Sequence, residues 1–273
     1  MAKKRLRFFN FSPGLFLKLA LLTGFLIVVQ SPPVLLATGI PERWENKEYQ
    51  PSIDIGTPIN TQGGGTRGAV RSCLSASKPL KALVPSDNFG TTVAAYPSFL
   101  AYMPALSPQT PPLSVEFVLE DKNHNEVYKS KFKTSGKSGI VTISLPTQAG
   151  LVPLEIGQNY QWSLSIICQP DDRAQDISVQ GLVRRVALNP TLSNQLRQAS
   201  PQKQVELYAE ARLWQDALAT LAQLRRDNPN DSAIAADWAK LLRSAALEDV
   251  TQESLLQGST SPERSAASSS SPP

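Results

Sequence analysis

The sequence predicts a mainly β chain, an antiparallel β-sandwich followed by a short α-helical segment. Three observations carry that reading. Between Cys73 and Leu188, short runs of strand-forming residues recur between turn residues, with no helical period among them. From Asn189 onward, cap residues followed by proline mark helix starts. The 22 prolines and a Ser/Pro-rich end assign a sizeable part of the 273 residues to linker rather than core.

Residues 1–37 read as a signal peptide. Lys3, Lys4, Arg5, Arg7 and Lys18 precede Leu19–Val29, an apolar run of 11, and Ala37 offers a small residue for cleavage. The run falls short of the ~20 residues that span a hydrocarbon core. Phe16 and Leu17 extend it past Lys18, so an uncleaved membrane tether is the alternative. These five charges also explain the formal charge of +4: the remaining 22 basic and 23 acidic groups leave the rest near −1, which excludes a nucleic-acid partner. Export to the periplasm or the extracellular space sets the meaning of the two cysteines. In an oxidising compartment Cys73 and Cys168 are expected to pair; two separate buried thiols are the alternative.

Residues 38–72 lack hydrophobic periodicity and read as an extended linker. Gly63-Gly-Gly65-Thr-Arg-Gly68 satisfies G-x-G-x-x-G, but no strand precedes it and no helix follows, so it is a flexible stretch and not a dinucleotide site. Residues 73–188 form the sandwich domain, with strands expected at Lys81–Val84, Thr91–Ala94, Ser98–Tyr102, Ser114–Glu120, Glu126–Lys133, Ile140–Leu145, Tyr160–Cys168 and Ile177–Val186. The clearest hairpin joins Ser114–Glu120 to Glu126–Lys133 through five turn-forming residues. Tyr160, Trp162, Leu164, Ile166 and Cys168 share one face of a period-two strand and mark it as core. A tryptophan and a cysteine on one strand are similar to the immunoglobulin theme of an aromatic packed on a disulfide, at a different spacing, so the predicted sandwich is immunoglobulin-like.

Residues 189–250 form the helical segment. Asn189-Pro190 and Ser200-Pro201 open its first helices, and Ser232 to Ala246 its last. Tyr208, Trp214, Ala217, Leu221, Leu224 and Pro229 stand where a tetratricopeptide repeat places its aromatic, small and closing-proline positions, with Val205 in place of the usual glycine. The segment resembles one and a half such repeats. That number cannot bury its own apolar face, so the helices must pack on the sandwich or on a partner. Residues 251–273 read as a disordered Ser/Pro-rich tail.

The candidates for chemistry are few. Asp171, Asp172 and Asp176 follow the core strand but lack the alternating oxygen ligands and central glycine of an EF-hand loop, so Pro-Asp-Asp reads as a tight turn. Tyr96, Phe99 and Tyr102 are a possible aromatic platform, although they do not share a strand face. Glu116 and Glu120 share a face two pleats apart, ordinary for a solvated surface. His124, the one histidine, lies in a polar turn, so no Ser/His/Asp set can be nominated, and no metal-ligand spacing occurs. Catalytic, cofactor-binding and metal residues are therefore expected to be none, and cofactors none.

Several blocks in order carry a family resemblance: Arg67-Gly-Ala-Val-Arg-Ser-Cys73-Leu, Leu80-Lys-Ala-Leu-Val-Pro85, Ala95-Tyr-Pro-Ser-Phe99, Val115-Glu-Phe-Val-Leu119, Gly139-Ile-Val-Thr-Ile-Ser-Leu-Pro146, Tyr160 to Cys168 and Trp214-Gln-Asp-Ala-Leu218. Over roughly residues 67 to 250 the chain resembles the family catalogued as domain of unknown function 928, a group of exported cyanobacterial proteins. The resemblance implies export and one recurring unit of sandwich and helices, with no activity or ligand to carry over. The function expected is a non-enzymatic binding or scaffolding module of the cell envelope with a protein or envelope-polymer partner. The alternatives are a carbohydrate-active or other envelope enzyme, with carboxylates converging near Asp171, Asp172 and Asp176, and a membrane-tethered structural component.

Overall fold

The computed structural model describes Ile40 and residues 73–75, 78–148 and 150–256. The signal segment 1–37, the glycine-rich stretch at 63–68, all of the linker but Ile40, and residues 257–273 lie outside the described residues. Among the described residues, eight strands form two sheets, and four α-helices follow.

The strands are β1 (Lys81–Ala82), β2 (Phe89–Thr92), β3 (Ser98–Met103), β4 (Ser114–Glu120), β5 (Glu126–Lys133), β6 (Gly139–Ser144), β7 (Asn159–Ile167) and β8 (Ile177–Arg185). A three-stranded sheet has the order β1-β3-β6 and a five-stranded sheet the order β2-β8-β7-β4-β5. The expected hairpin is β4–β5, pairing Ser114 with Lys133 and slipping register between Leu119 and Glu120. The expectation of an antiparallel sandwich needs one correction. β2 pairs parallel to β8, Phe89 opposite Leu182. The chain passes from β2 into the other sheet before β8 forms, so no hairpin fixes the direction of this pair.

Alternation on each strand explains the shared core. Val115, Phe117 and Leu119 of β4, with Tyr160, Trp162, Leu164 and Ile166 of β7, face Phe99, Ala101 and Met103 of β3 and Ile143 of β6. Phe99 lies 5.4 Å from Trp162 and 5.2 Å from Phe117, centroid to centroid, linking the sheets through aromatic contacts. Trp162 stands opposite Gly181, where an added Cβ would lie 2.7 Å from the indole. Cys73 and Cys168 are joined, with Cα atoms 5.9 Å apart, so the start of the domain is tied to the end of β7 across 95 residues.

The other face of the small sheet is buried as well. Leu83, Leu100, Tyr102 and Ile140 pack into a second core with Trp214, Leu218, Leu221, Trp238 and Leu241 of the helices. The helices are α1 (Pro190–Gln198), α2 (Pro201–Glu210), α3 (Trp214–Asp227) and α4 (Ser232–Arg243). Asn189 and Ser200 cap α1 and α2 with Pro190 and Pro201 behind them, and Asp231 accepts the amides of Ala233 and Ile234 at the start of α4. Buried Trp214 donates Nε1–H to the carbonyl of Leu83 at 3.0 Å, so α3 is hydrogen-bonded to the chain just after β1.

Two segments depart from the sequence expectations. Ile40, expected in an extended linker, is only 3% exposed within the helical core: its amide donates to Asp237 Oδ1 at 3.0 Å, and Lys240 Nζ donates to its carbonyl at 3.1 Å. Residues 251–256, expected in the disordered tail, run along β6. Ile140 donates to Ser254 O and accepts from the amide of Leu256, both at 2.8 Å, and Leu255 bridges Ile140 in parallel. The approach is tight because position 139 is glycine, at φ +152°, where a Cβ would lie 2.7 Å from Ser254 O. Lys78 and Lys81, pairing with Glu253 and Asp249, hold the same segment to the strand on the other side of β3.

Replacing Gly181 tests the inter-sheet packing. Gly181→Ala forces the indole of Trp162 off its site and is expected to destabilise the chain by about 1–3 kcal/mol in denaturant titration; an unchanged midpoint contradicts the packing described.

Candidate functional site

The three aspartates after the core strand do not converge. Asp172 opens a short 3₁₀ turn, Arg173–Gln175, accepting the amide of Ala174 at 3.2 Å and Gln175 Nε2 at 2.6 Å. Asp176 accepts Arg173 Nε at 2.6 Å, and Asp171 is exposed. Arg173 instead reaches Glu116 Oε1 at 2.8 Å, while Lys131 and Lys129 approach Glu116 Oε2 at 3.1 and 3.4 Å. Glu116 projects from the face of β4 away from the core, yet three basic side chains leave it 7% exposed. Burial raises its pKa, but the bonds from Arg173 and Lys131 and the charge of Lys129 outweigh that and hold it at about 2. The group is a permanently charged clasp between β4, β5 and the turn. Glu120, on the same face, neighbours His124 Nδ1 at 3.5 Å in the exposed hairpin turn, which Asp121 closes by accepting the amides of Asn123 and Asn125. Among the described residues no group of His, Cys, Asp and Glu has the arrangement to hold a metal ion.

The aromatic stretch is consumed by packing. Phe99 is in the inter-sheet core, Tyr102 in the helical core, and Tyr96 donates its hydroxyl to Leu151 O at 3.0 Å. A perturbed group that the sequence does not advertise is Asp216, in the first turn of α3. Its Oδ2 accepts the amide of Val93 at 3.0 Å, and Thr91 donates to Arg212 O at 2.6 Å, so the α2–α3 turn caps the β2 edge of the large sheet. Burial pushes the Asp216 pKa up to about 6, against the opposing bonds from the amides of Val93 and Ala94 and the hydroxyl of Thr92.

The loop between β6 and β7 turns apolar side chains outward. Val152 and Ile156 are 72% and 57% exposed, the two most exposed large hydrophobics among the described residues. Their loop is nonetheless firmly held. Leu154 is buried and its amide donates to Ala95 O at 3.0 Å; Arg185 donates to Leu154 O at 2.5 Å; Glu155 donates its amide to the hydroxyl of Tyr160 at 2.9 Å. Beside it lies a groove of about 320 Å³ bordered by Val152, Leu154 and Tyr160 on one side and by Asp121, Asn123 and Val127 of the β4–β5 hairpin on the other. Sequence reasoning passed over this loop because Leu151-Val-Pro-Leu-Glu-Ile156 has neither strand nor helix period. The available signal was that apolar run itself, set between Gly150 and Gly157 and outside every expected element.

Comparison with known proteins gives one family. Residues 62–255 match the family model described as Domain of Unknown Function (DUF928). No curated protein matches the chain.

The two most strongly shifted carboxylates among the described residues, Asp216 and Glu116, act on stability in opposite directions. Asp216 has a folded pKa near 6 against an ordinary 3.8, so the folded chain keeps a proton that the unfolded chain releases. Stability from this group therefore falls as pH rises from about 4 to about 6, by roughly 3 kcal/mol. Glu116 behaves in reverse: its contribution is present above about 4.5 and is lost as pH falls towards 2. In urea titrations across this range, Asp216→Asn is expected to remove the decline between pH 4 and 6 and leave the acid limb in place. An unaltered slope contradicts the assignment.

Proposed function

The chain belongs to the DUF928 family, and on that premise we propose that it is an exported, non-enzymatic binding or scaffolding module of the cell envelope. The observation that carries the binding reading is the held loop with Val152 and Ile156 outward beside a groove. A loop fixed by a buried leucine and several hydrogen bonds presents apolar side chains at little entropic cost to a partner. The chemistry of a partner follows: an apolar patch flanked by the amide of Asn123 and the carboxylate of Asp121 suits a protein surface or the mixed apolar and hydroxylated faces of an envelope polymer.

Export is supported by the basic and apolar pattern of residues 1–37 and by the Cys73–Cys168 bond, which suits an oxidising compartment. The periplasm, and a cyanobacterial cell, are the setting that the family resemblance suggests. A carbohydrate-active enzyme is disfavoured because Asp172, Asp176 and Glu116 are all spent on a turn cap and ion pairs. Among the described residues no helix is long and apolar enough to cross a membrane. We read the paired sheets as an immunoglobulin-like sandwich, on the strength of Trp162 packed between them on the strand that leads to Cys168. The helices read as a tetratricopeptide-like pair and a half whose missing neighbour is replaced by the small sheet, since Trp214, Ala217, Leu221 and Leu224 are buried there.

Crosslinking pull-down from the envelope fraction of the native cell, comparing the wild-type chain with the Val152→Asp/Ile156→Asp double variant, tests the reading. A partner captured by the former and lost by the latter is expected; equal capture by both overturns the loop assignment. Amino-terminal sequencing of the same material is expected to begin near Thr38, and a chain that retains residues 15–36 overturns release from the membrane.

A further inference from the structure

Arg225 and Arg226 close α3, and their surroundings differ from those of several cations that are held in ion pairs. Lys81 pairs with Asp249, Arg173 with Glu116 and Asp176, and Lys203 with Glu206. Neither Arg225 nor Arg226 has a carboxylate at ion-pair distance among the described residues; their hydrogen-bond partners are neutral, and Asp227, next in the chain to Arg226, acts on it only as a more distant charge. Arg225 lies over the indole of Trp238, 5.1 Å from the ring centroid, and Nη1 donates to Thr251 O at 3.4 Å. Arg226 Nη1 donates to Thr142 Oγ1 at 3.1 Å and Nη2 to Gln223 Oε1 at 2.9 Å. A guanidinium carries five N–H donors, so both keep donors to spare. Burial draws the pKa of each below that of an ordinary arginine, a sign that the two charges are incompletely solvated. Together with Pro229, Ser254 and Leu255, the two side chains border an open groove of about 350 Å³.

We propose that this groove is an oxyanion-binding site, in which a carboxylate or phosphate group is held across the guanidinium groups of Arg225 and Arg226. The geometry suits that ligand class on three counts. Stacking on Trp238 and the bonds to Thr142 and Gln223 fix both groups in place before binding, which reduces the entropy lost with each new bond. Planar forks of N–H donors match the paired oxygens of a carboxylate or phosphate. An anion would supply a counter-charge in direct contact, which no described carboxylate does, Asp227 acting on Arg226 only from farther off. The groove is larger than a single oxyanion, so the group is expected on a larger organic ligand, with Leu255 and Pro229 offering apolar contact to its body. The inference draws on none of the loop residues around Val152 and stands independently of the proposed partner surface.

The test is titration of the folded, disulfide-linked chain with inorganic phosphate and, in a second arm, with citrate, at constant ionic strength set with chloride. The arginine Nε–Hε signals are followed by NMR. Saturable shifts of Arg225 and Arg226, with a dissociation constant in the range of about 0.1–1 mM, a few kcal/mol of binding, are expected for at least one anion, and the arm that saturates identifies phosphate or carboxylate as the group preferred. Arg225→Gln and Arg226→Gln are each expected to weaken binding at least about tenfold, and Arg226→Lys, which keeps the charge but not the fork, to weaken it as well. Absence of saturable shifts at these two residues in the wild-type chain overturns the proposal, whatever the fold of the variants. So does binding that survives both glutamine substitutions.

Discussion

Strand β3 is buried on both faces, and the rest of the structure depends on that. Phe99, Ala101 and Met103 meet the five-stranded sheet, while Leu100 and Tyr102 meet the helices. A strand in such a position cannot shed either layer without exposing a row of large apolar side chains to water, at a cost of order 1.5–3 kcal/mol for each. The small sheet is thus the middle layer of three. The helices pack their apolar faces on it, and the hydrogen bond from Trp214 to Leu83 fixes where they land. The same logic governs edges. The α2–α3 turn covers β2, residues 254–256 cover β6, and β5, which no described strand pairs on its outer side, carries Lys129, Lys131 and Lys133, whose charges discourage strand addition.

What could be read in the sequence was what local chemistry decides. The bounds of β4 and β5 follow from alternation across a polar turn, and the starts of α1 and α2 from Asn189-Pro and Ser200-Pro. The inward face of β7 follows from period two, and Cys73 and Cys168 had only each other to pair with. What could not be read depends on contacts distant along the chain. The parallel partnership of β2 and β8 joins residues about ninety apart, and nothing in Phe89-Gly-Thr-Thr92 encodes it. Residues 251–256 are too few and too polar to declare a strand; they are held by the glycine at 139 and by lysines near β1. Ile40 is a single aliphatic residue in a proline-rich stretch, and only Asp237 and Lys240 on α4 give it a place.

The distribution of charge narrows the function more than any motif does. Of the carboxylates that the sequence singles out, Asp172, Asp176 and Glu116 are occupied by a cap and by cations, Glu120 neighbours His124, and Asp171 is exposed. Asp216, the carboxyl whose pKa burial raises to about 6, lies against the backbone that follows β2 and accepts the amide of Val93. What remains are surfaces: a pinned loop with outward aliphatics at one groove, and a pair of arginines whose hydrogen-bond partners are neutral at another. Neither was visible as a motif, because each arises where segments far apart in sequence are brought together by the three layers.

The central claim is that the helices are built into the sandwich through the small sheet rather than appended to it. Native-state hydrogen exchange measures this most directly, by comparing the opening free energies of amides in β3 with those in α3 as low denaturant is added. The account predicts that the two sets converge on one cooperative unfolding with the same denaturant dependence. Helices that open at clearly lower free energy while β3 stays protected would contradict it.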